Sequence, residues 1–277
     1  MTKSPAMLVT DLDGTLARND GSISPASLAN LEALGERGVV RVVATGRSPF
    51  VARRVLRADF PIDYLVVSTG AGIYYWPKQE LLKFSRLDSL LVEEIQTALI
   101  RHSLSFFLHA PVPRNHHFHF YESEKVPKDF HSRRTRYQAY GAPLVAKVGE
   151  ASQFLVVCED EAEIEIFASL ETQFPSCCIH RATSPIDGKS IWIEIFQKPV
   201  SKSEAAQWIA ERHGVTAAES LAVGNDYNDI DLLAWAGQSF VVANAPKFLR
   251  EKYQTVASNE EGGFSEVAER LLAMLPG

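Results

Sequence analysis

Asp11-Leu12-Asp13-Gly14-Thr15 puts two carboxylates on one side of the chain just as a short apolar run, Met7 to Leu12, comes to its end, with a glycine that permits a sharp turn. Paired acids there suit a hard divalent cation such as magnesium. Carboxylate oxygens are its preferred ligands, and the ion offsets their repulsion of an incoming phosphate. Asp11 could then attack phosphorus to form an aspartyl-phosphate, while Asp13 passes a proton to the leaving oxygen and later takes one from water. A strand running into an ordinary Asp-Gly turn would leave the same pentapeptide.

Ala44-Thr45-Gly46-Arg47-Ser48 closes a second apolar run. A hydroxyl, exposed backbone amides and a helix N-terminus there make an anion site, with Thr45 on phosphoryl oxygens and Arg47 within reach of a substrate; a plain strand-to-helix turn is the alternative. Lys202 follows Ser201 at the start of a helix and could neutralise phosphate and nucleophile, although a lone lysine is usually solvated surface. Gly224-Asn225-Asp226-Tyr227-Asn228-Asp229-Ile230-Asp231 gathers oxygen ligands after the apolar strand Leu221 to Val223. The bland reading is a loop with an N-cap. Recurrence of acids at two strand ends favours a metal site completed by distant parts of the chain.

The elements that must position these residues alternate. Met7–Leu12, Val39–Ala44 and Tyr64–Ser68 read as buried strands. Between the first two, Ser24-Pro25 starts a helix carrying Leu28, Leu31 and Leu34, and Gly38 closes it; a second helix is expected through Val51, Val55 and Leu56. This βαβαβ order predicts an α/β fold, a doubly wound Rossmann-like core with its ligand site at the carboxyl ends of the strands. From Phe84 to Gly188 the texture changes to short strands, helices over Leu90–Ile100 and Glu163–Phe174, and scattered prolines. That stretch is read as an inserted α+β cap. The expected division is core 1–83, cap 84–188 and core 189–277, the core resuming with strand Ile191–Ile195 and ending in a helix over Phe264–Leu275.

The 277 residues, 46% hydrophobic and 22% charged, suit a soluble globular protein of two domains. No apolar run approaches the roughly 20 residues of a membrane span, and no signal-peptide pattern opens the chain, so the expected setting is the cytoplasm without a membrane. Cys158, Cys177 and Cys178 have neither disulfide nor metal-ligand spacing and are expected reduced in the core. A net charge of -6 argues against nucleic acid as a partner. His109, His116, His117 and His119 lack acids or cysteines at ligand spacing, and Arg133, Arg134 and Arg136 read as an exposed basic stretch.

In this order the pieces resemble the haloacid dehalogenase superfamily over essentially the whole core. Asp11 to Thr15 is similar to its first motif, Thr45-Gly46-Arg47 to its second, Lys202 to its third and Gly224 to Asp229 to its fourth. An insert between the second and third motifs resembles the branch with a large α/β cap, which includes sugar-phosphate and sucrose-phosphatase-like enzymes; the Asn244-Ala245 and Glu261-Gly262-Gly263 turns fit it too. The resemblance implies Asp11 as nucleophile, Asp13 as acid and base, and Thr45 and Lys202 as phosphate holders. It implies Gly46, Arg47 and Asn228 as substrate contacts, and Asp11, Asp13, Asn225 and Asp229 as magnesium ligands with Asp226 the rival of Asn225. Two departures stand out: Gly224-Asn225 where the family commonly has Gly-Asp, and Thr69-Gly70 where many members have Asn-Gly. The expected activity is hydrolysis of a small phosphate monoester, a sugar or polyol phosphate, with no obligate protein partner. A phosphomutase on the same core and a non-catalytic binding protein are the alternatives.

Overall fold

The computed structural model describes residues 6–144, 148–159 and 164–275. Its first stretch lays down β1 (Met7–Asp11), α1 (Pro25–Glu36), β2 (Val40–Ala44), α2 (Pro49–Ala52), β3 (Tyr64–Val67), β4 (Gly72–Tyr75) and β5 (Glu80–Phe84). The middle forms α3 (Ser89–Arg101), β6 (Phe106–His109), β7 (Phe118–Tyr121), α4 (Lys128–Arg136), β8 (Gly141–Pro143), β9 (Gln153–Cys158), α5 (Ile164–Gln173), β10 (Cys177–Thr183) and β11 (Ile191–Gln197). The chain then returns through α6 (Lys202–His213), β12 (Ser220–Gly224), α7 (Ile230–Trp235), β13 (Gln238–Val242), α8 (Lys247–Lys252), β14 (Gln254–Val256) and α9 (Gly263–Met274).

Two sheets organise these elements. The first has the order β14-β13-β12-β1-β2-β3-β4-β5, parallel from β14 to β3, with β4 turned antiparallel against β3. Early strands build outward from β1 on one side and the returning strands on the other, so the order reverses at β1 and β12. In such sheets that reversal opens a crevice at the carboxyl ends of the strands. β1 is buried along its whole length, as a central strand covered on both faces requires, which is why it reads as an unbroken apolar run. Met7, Val9, Val42 and Val66 pack there with Ala206 and Ile209 of α6 and Leu232 of α7.

The second sheet has the order β10-β11-β9-β6-β7-β8. One face buries Phe106, Phe154 and Ile193 against Ile95 of α3 and Phe167 of α5; the other packs Phe107, Leu155 and Trp192 against Phe130 of α4. Buried Asp129 accepts from the Trp192 indole at 2.7 Å and the Ser184 hydroxyl at 3.0 Å, tying α4 to this sheet.

The chain splits into two units, one of Met1–Arg47, Val51–Lys83 and Ser201–Gly277, the other of Ser48–Phe50 and Phe84–Val200. This corrects the boundary expected at Gly188. β11, read from sequence as the first returning core strand, pairs antiparallel with β9 and β10. Its apolar side chains are covered on both sheet faces, so its texture is that of a parallel core strand although its partners lie in the insert. The helix expected through Leu56 stops at Ala52, while β4, β5, α8 and β14 are elements that sequence periodicity did not mark. Glu163, the expected start of the second insert helix, lies outside the described residues. No helix among the described residues is long and apolar enough to cross a membrane. Cys158, Cys177 and Cys178 are not joined in disulfides; Cys158 and Cys177 are buried and Cys178 half-buried.

Candidate active site

Asp11 ends β1 at the carboxyl edge of the first sheet, with only 5% of its surface exposed. Its Oδ1 accepts a hydrogen bond from Lys202 Nζ at 2.6 Å, and the same ammonium donates to Asp229 Oδ1 at 2.6 Å. Lys202 and Asp229 are fully buried. A lysine without solvent needs such partners, because desolvation of an unpaired charge costs several kcal/mol. Burial pushes the Asp11 carboxyl up to about 7; Lys202 opposes the rise, and Asp229 and Asp13 add to it. Burial penalises the Lys202 ammonium too, but Asp11 and Asp229 outweigh that and hold its pKa above the ordinary lysine value.

The backbone fixes where this lysine stands. Lys202 opens α6 directly after its N-cap Ser201, whose hydroxyl accepts from the Glu204 amide at 3.1 Å. The turn after β3 presses on that N-cap: Gly70 has φ 115, and a Cβ there would lie 2.3 Å from the Ser201 carbonyl oxygen. Ser68 and Thr69 just before it also take positive φ, 48 and 57, an uncommon conformation worth on the order of 1 kcal/mol or more each. The other Asp229 oxygen, Oδ2, accepts from the backbone amides of Asn225 at 2.8 Å and Asp226 at 3.1 Å. Asp229 therefore joins Lys202 to the loop after β12.

Asp13 is held differently. Arg47 Nε donates to Asp13 Oδ2 at 2.7 Å and Arg47 Nη2 donates to Oδ1, a two-pronged grip. The Arg47 backbone is itself fixed, its amide donating to Thr45 Oγ1 at 3.1 Å and its carbonyl accepting from the Ser68 amide at 2.9 Å. Arg47, expected to reach substrate, thus spends its guanidinium on Asp13.

Asn225 lies against three oxygens. Turned one way, its Nδ2 donates to the Asp13 carbonyl at 3.1 Å, Asp11 Oδ2 at 3.2 Å and Thr15 Oγ1 at 3.0 Å. Turned the other way, its Oδ1 accepts from the Thr15 hydroxyl at 3.0 Å and faces the other two oxygens without a proton between them. Gly14, with φ 71, makes this approach possible, since a Cβ there would sit 2.8 Å from the Asn225 amide. Oxygens on adjacent corners of an octahedral magnesium lie roughly 2.9 Å apart, so the oxygen-in orientation matches a hard cation and the nitrogen-in orientation stands in for one. The oxygens that would face a cation here are one from a carboxylate, one from a main-chain carbonyl and one from a carboxamide. Among the described residues no group of three His, Cys, Asp or Glu could hold a metal ion.

The residues expected from sequence to hold magnesium stand here as follows. Asp13 offers its main-chain carbonyl rather than its carboxylate. Asp229 has both oxygens engaged, by Lys202 and by the Asn225 and Asp226 amides, and Asp226 is tied to Asp229 in a reciprocal cap. Asn228 comes close to the second motif: a Cβ on Gly46 would stand 3.8 Å from its Nδ2 and 3.6 Å from Thr69 Oγ1. Thr15, named in the sequence only as part of the first motif, lies against Asn225, and Thr69, noted there only as a departure from the family's Asn-Gly, lies near Gly46. Asn244 was marked only through the resemblance; its amide donates to the Gly14 carbonyl at 2.8 Å, pinning the first-motif loop from the end of β13.

In the second unit, His109 donates from Nδ1 to the Asn115 carbonyl at 2.7 Å and meets Arg133 Nη2 at 3.3 Å. Burial first and the Arg133 charge second bring its pKa down to about 3. Arg133 is no exposed basic residue: its guanidinium stacks over Trp192 at 4.7 Å, Tyr137 at 5.3 Å and Phe107 at 5.4 Å. Arg134 pairs with Glu122 at 2.5 Å. His116 stacks on Phe50 at 4.4 Å and touches His117 at 4.2 Å.

Comparison with known proteins places these features in context. A family model described as haloacid dehalogenase-like hydrolase matches residues 8–267. The 5-amino-6-(5-phospho-D-ribitylamino)uracil phosphatase of Bacillus subtilis is 23% identical over 281 residues, covering 99% of this chain and 100% of its own length. A phosphoglycolate phosphatase of Halobacterium salinarum is 27% identical over 266 residues, with 95% and 96% covered. A solved sugar phosphatase of subclass IIB superposes with a TM-score of 0.75 at 19% identity, covering 95% of this chain and 98% of its own.

Proposed function

The chain belongs to the haloacid dehalogenase-like hydrolase family and is a phosphatase, and we propose that it hydrolyses a small sugar or polyol phosphate, with magnesium, through an aspartyl-phosphate on Asp11. The observation that carries this reading is the buried Asp11 carboxylate bonded to a lysine that Asp229 also holds. Such a carboxylate is desolvated, fixed in direction and held against a cation, as suits a nucleophile toward phosphorus. The substrate class is supported by the phosphoribityl group in the name of the Bacillus relative and by the sugar phosphatase that shares the fold.

Thr45, its oxygen already accepting the Arg47 amide, can turn its one proton to a phosphoryl oxygen. Lys202 offsets the charge that gathers as nucleophile and phosphate approach. Asp11 Oδ2, the Asp13 carbonyl and Asn225 Oδ1 would hold magnesium, which neutralises phosphate charge. Asp13 gives its proton to the ester oxygen as the alcohol leaves, then takes one from the water that opens the aspartyl-phosphate. Substrate choice falls to the second unit, Phe84–Val200, because none of these residues comes from it.

Phosphate release from a panel of sugar and polyol phosphates tests the proposal. Turnover should require magnesium, stop with chelator and vanish in Asp11→Asn while the circular dichroism spectrum stays native. Wild-type turnover by Asp11→Asn would overturn the assignment of the nucleophile, and transfer to an organic acceptor without free phosphate would overturn hydrolysis.

A further inference from the structure

The two-pronged contact between Arg47 and Asp13 has chemical content of its own. Asp13 sits in the loop beyond β1 with its side chain 41% exposed, and an acid with that much solvent access would ordinarily sample several rotamers. A proton donor to a leaving oxygen cannot wander, since misplacement by about 1 Å can cost 100-fold in rate. Here a planar guanidinium meets both carboxylate oxygens. That fork fixes the plane of the acid as well as its distance, which the point charge of a lysine cannot do. The main chain that carries this side chain is in turn anchored, the Arg47 amide donating to Thr45 Oγ1 and the Arg47 carbonyl accepting from the Ser68 amide. That Ser68 belongs to the strained turn after β3, the same turn that braces the N-cap of Lys202. One turn therefore supports the lysine beside the nucleophile and the arginine beside the acid.

We propose that Arg47 is a positioning residue, whose fork orients the Asp13 carboxyl so that its proton is delivered to the leaving-group oxygen. The inference rests on the phosphatase mechanism above. In the step concerned, the Asp11 oxygen bonds to phosphorus, the bond from phosphorus to the ester oxygen breaks, and the proton of Asp13 passes to that oxygen to give the alcohol. Water later attacks the aspartyl-phosphate and returns its proton to Asp13 as phosphate leaves.

An acid that protonates the leaving group matters most where that group is a poor one. The experiment therefore measures kcat/KM, which covers the chain of steps up to loss of the alcohol, on an alkyl phosphate and on p-nitrophenyl phosphate, for wild type, Arg47→Lys, Arg47→Gln and Asp13→Asn. The nitrophenolate leaves with little help. Arg47→Lys keeps the charge but loses the fork, so it should fall about 100-fold on the alkyl ester and less than about tenfold on the aryl ester, as should Asp13→Asn. Arg47→Gln should behave like Arg47→Lys. If Arg47 instead binds the substrate anion, Arg47→Lys should largely restore activity and Arg47→Gln should raise KM equally for both esters; either result overturns the proposal. Thermal melts of each variant exclude misfolding, since unfolded protein would lose both activities in proportion. Absence of turnover by wild type on every ester would instead sink the phosphatase mechanism, which keeps the two failures apart.

Discussion

Asn225 differs from the acid of the family pattern by one amide group, and that difference can be read in energy. Without metal, its Nδ2 can satisfy Asp11 Oδ2 and the Asp13 carbonyl together. Asn225→Asp would replace that donor with a third negative oxygen beside Asp11, costing the metal-free protein about 1–3 kcal/mol. The same change adds an anionic ligand and should tighten magnesium by about tenfold or more. Melting temperatures read both: the variant should melt lower than wild type in chelator and gain more from magnesium, because a ligand that binds only the folded state raises apparent stability. Equal magnesium-induced shifts in the two proteins would show that this side chain does not meet the ion.

At the scale of elements, the turn after β3 and the strand β6 carry consequences of their own. Gly70 combines φ 115 with a virtual Cβ 2.3 Å from the Ser201 carbonyl. Gly70→Ala should therefore destabilise by about 2–4 kcal/mol and lower kcat/KM on all substrates alike as the start of α6 shifts. A variant with native melting temperature and rate would mean that the N-cap does not depend on this turn. In β6, His109 is neutral because its native pKa is near 3 against an ordinary value of 6.5. Below about 6.5 the unfolded chain takes up a proton that the native state refuses. Stability from this group is thus complete above that value and declines toward pH 3, by at most a few kcal/mol. His109→Asn cannot titrate, so its chemical-denaturation midpoint should fall less steeply than that of wild type between pH 6.5 and 4; parallel acid limbs would assign the loss to other groups.

Across the whole molecule, the residues of the proposed chemistry, Asp11, Asp13, Thr45, Arg47, Lys202, Asn225 and Asp229, all belong to the first unit. The second unit carries its own polar and aromatic equipment, with His117 edge-on to Tyr140 at 5.6 Å and Arg133 among rings. The proposal assigns conversion to the first unit and the choice among substrates to the second. His117→Ala should reorder a panel of sugar and polyol phosphates by tenfold or so in relative kcat/KM while changing p-nitrophenyl phosphate turnover much less. A uniform loss on every substrate would instead place a catalytic group in the second unit.

The doubly wound core and the four motif segments were legible in the sequence, because buried parallel strands are continuous apolar runs and polar clusters at their carboxyl ends have few structural uses. The start of the insert at Phe84 was legible for a similar reason, as a change of periodicity. Its end was not: β11 is apolar on both faces, and only its pairing with β9 and β10 shows to which sheet it belongs. The roles within the site also needed the tertiary structure. Sequence names Asp13, Arg47, Asn225 and Asp229 as polar groups near one another, but which oxygen meets which nitrogen depends on loops brought together across 210 residues, as between Thr15 and Asn225. Arg47 turned out to grip Asp13, Asp229 to share Lys202, and the Asp13 backbone rather than its side chain to face Asn225. Those pairings are set by distances of about 3 Å, at which hydrogen bonds and charges are decided and to which residue type and spacing along the chain are blind.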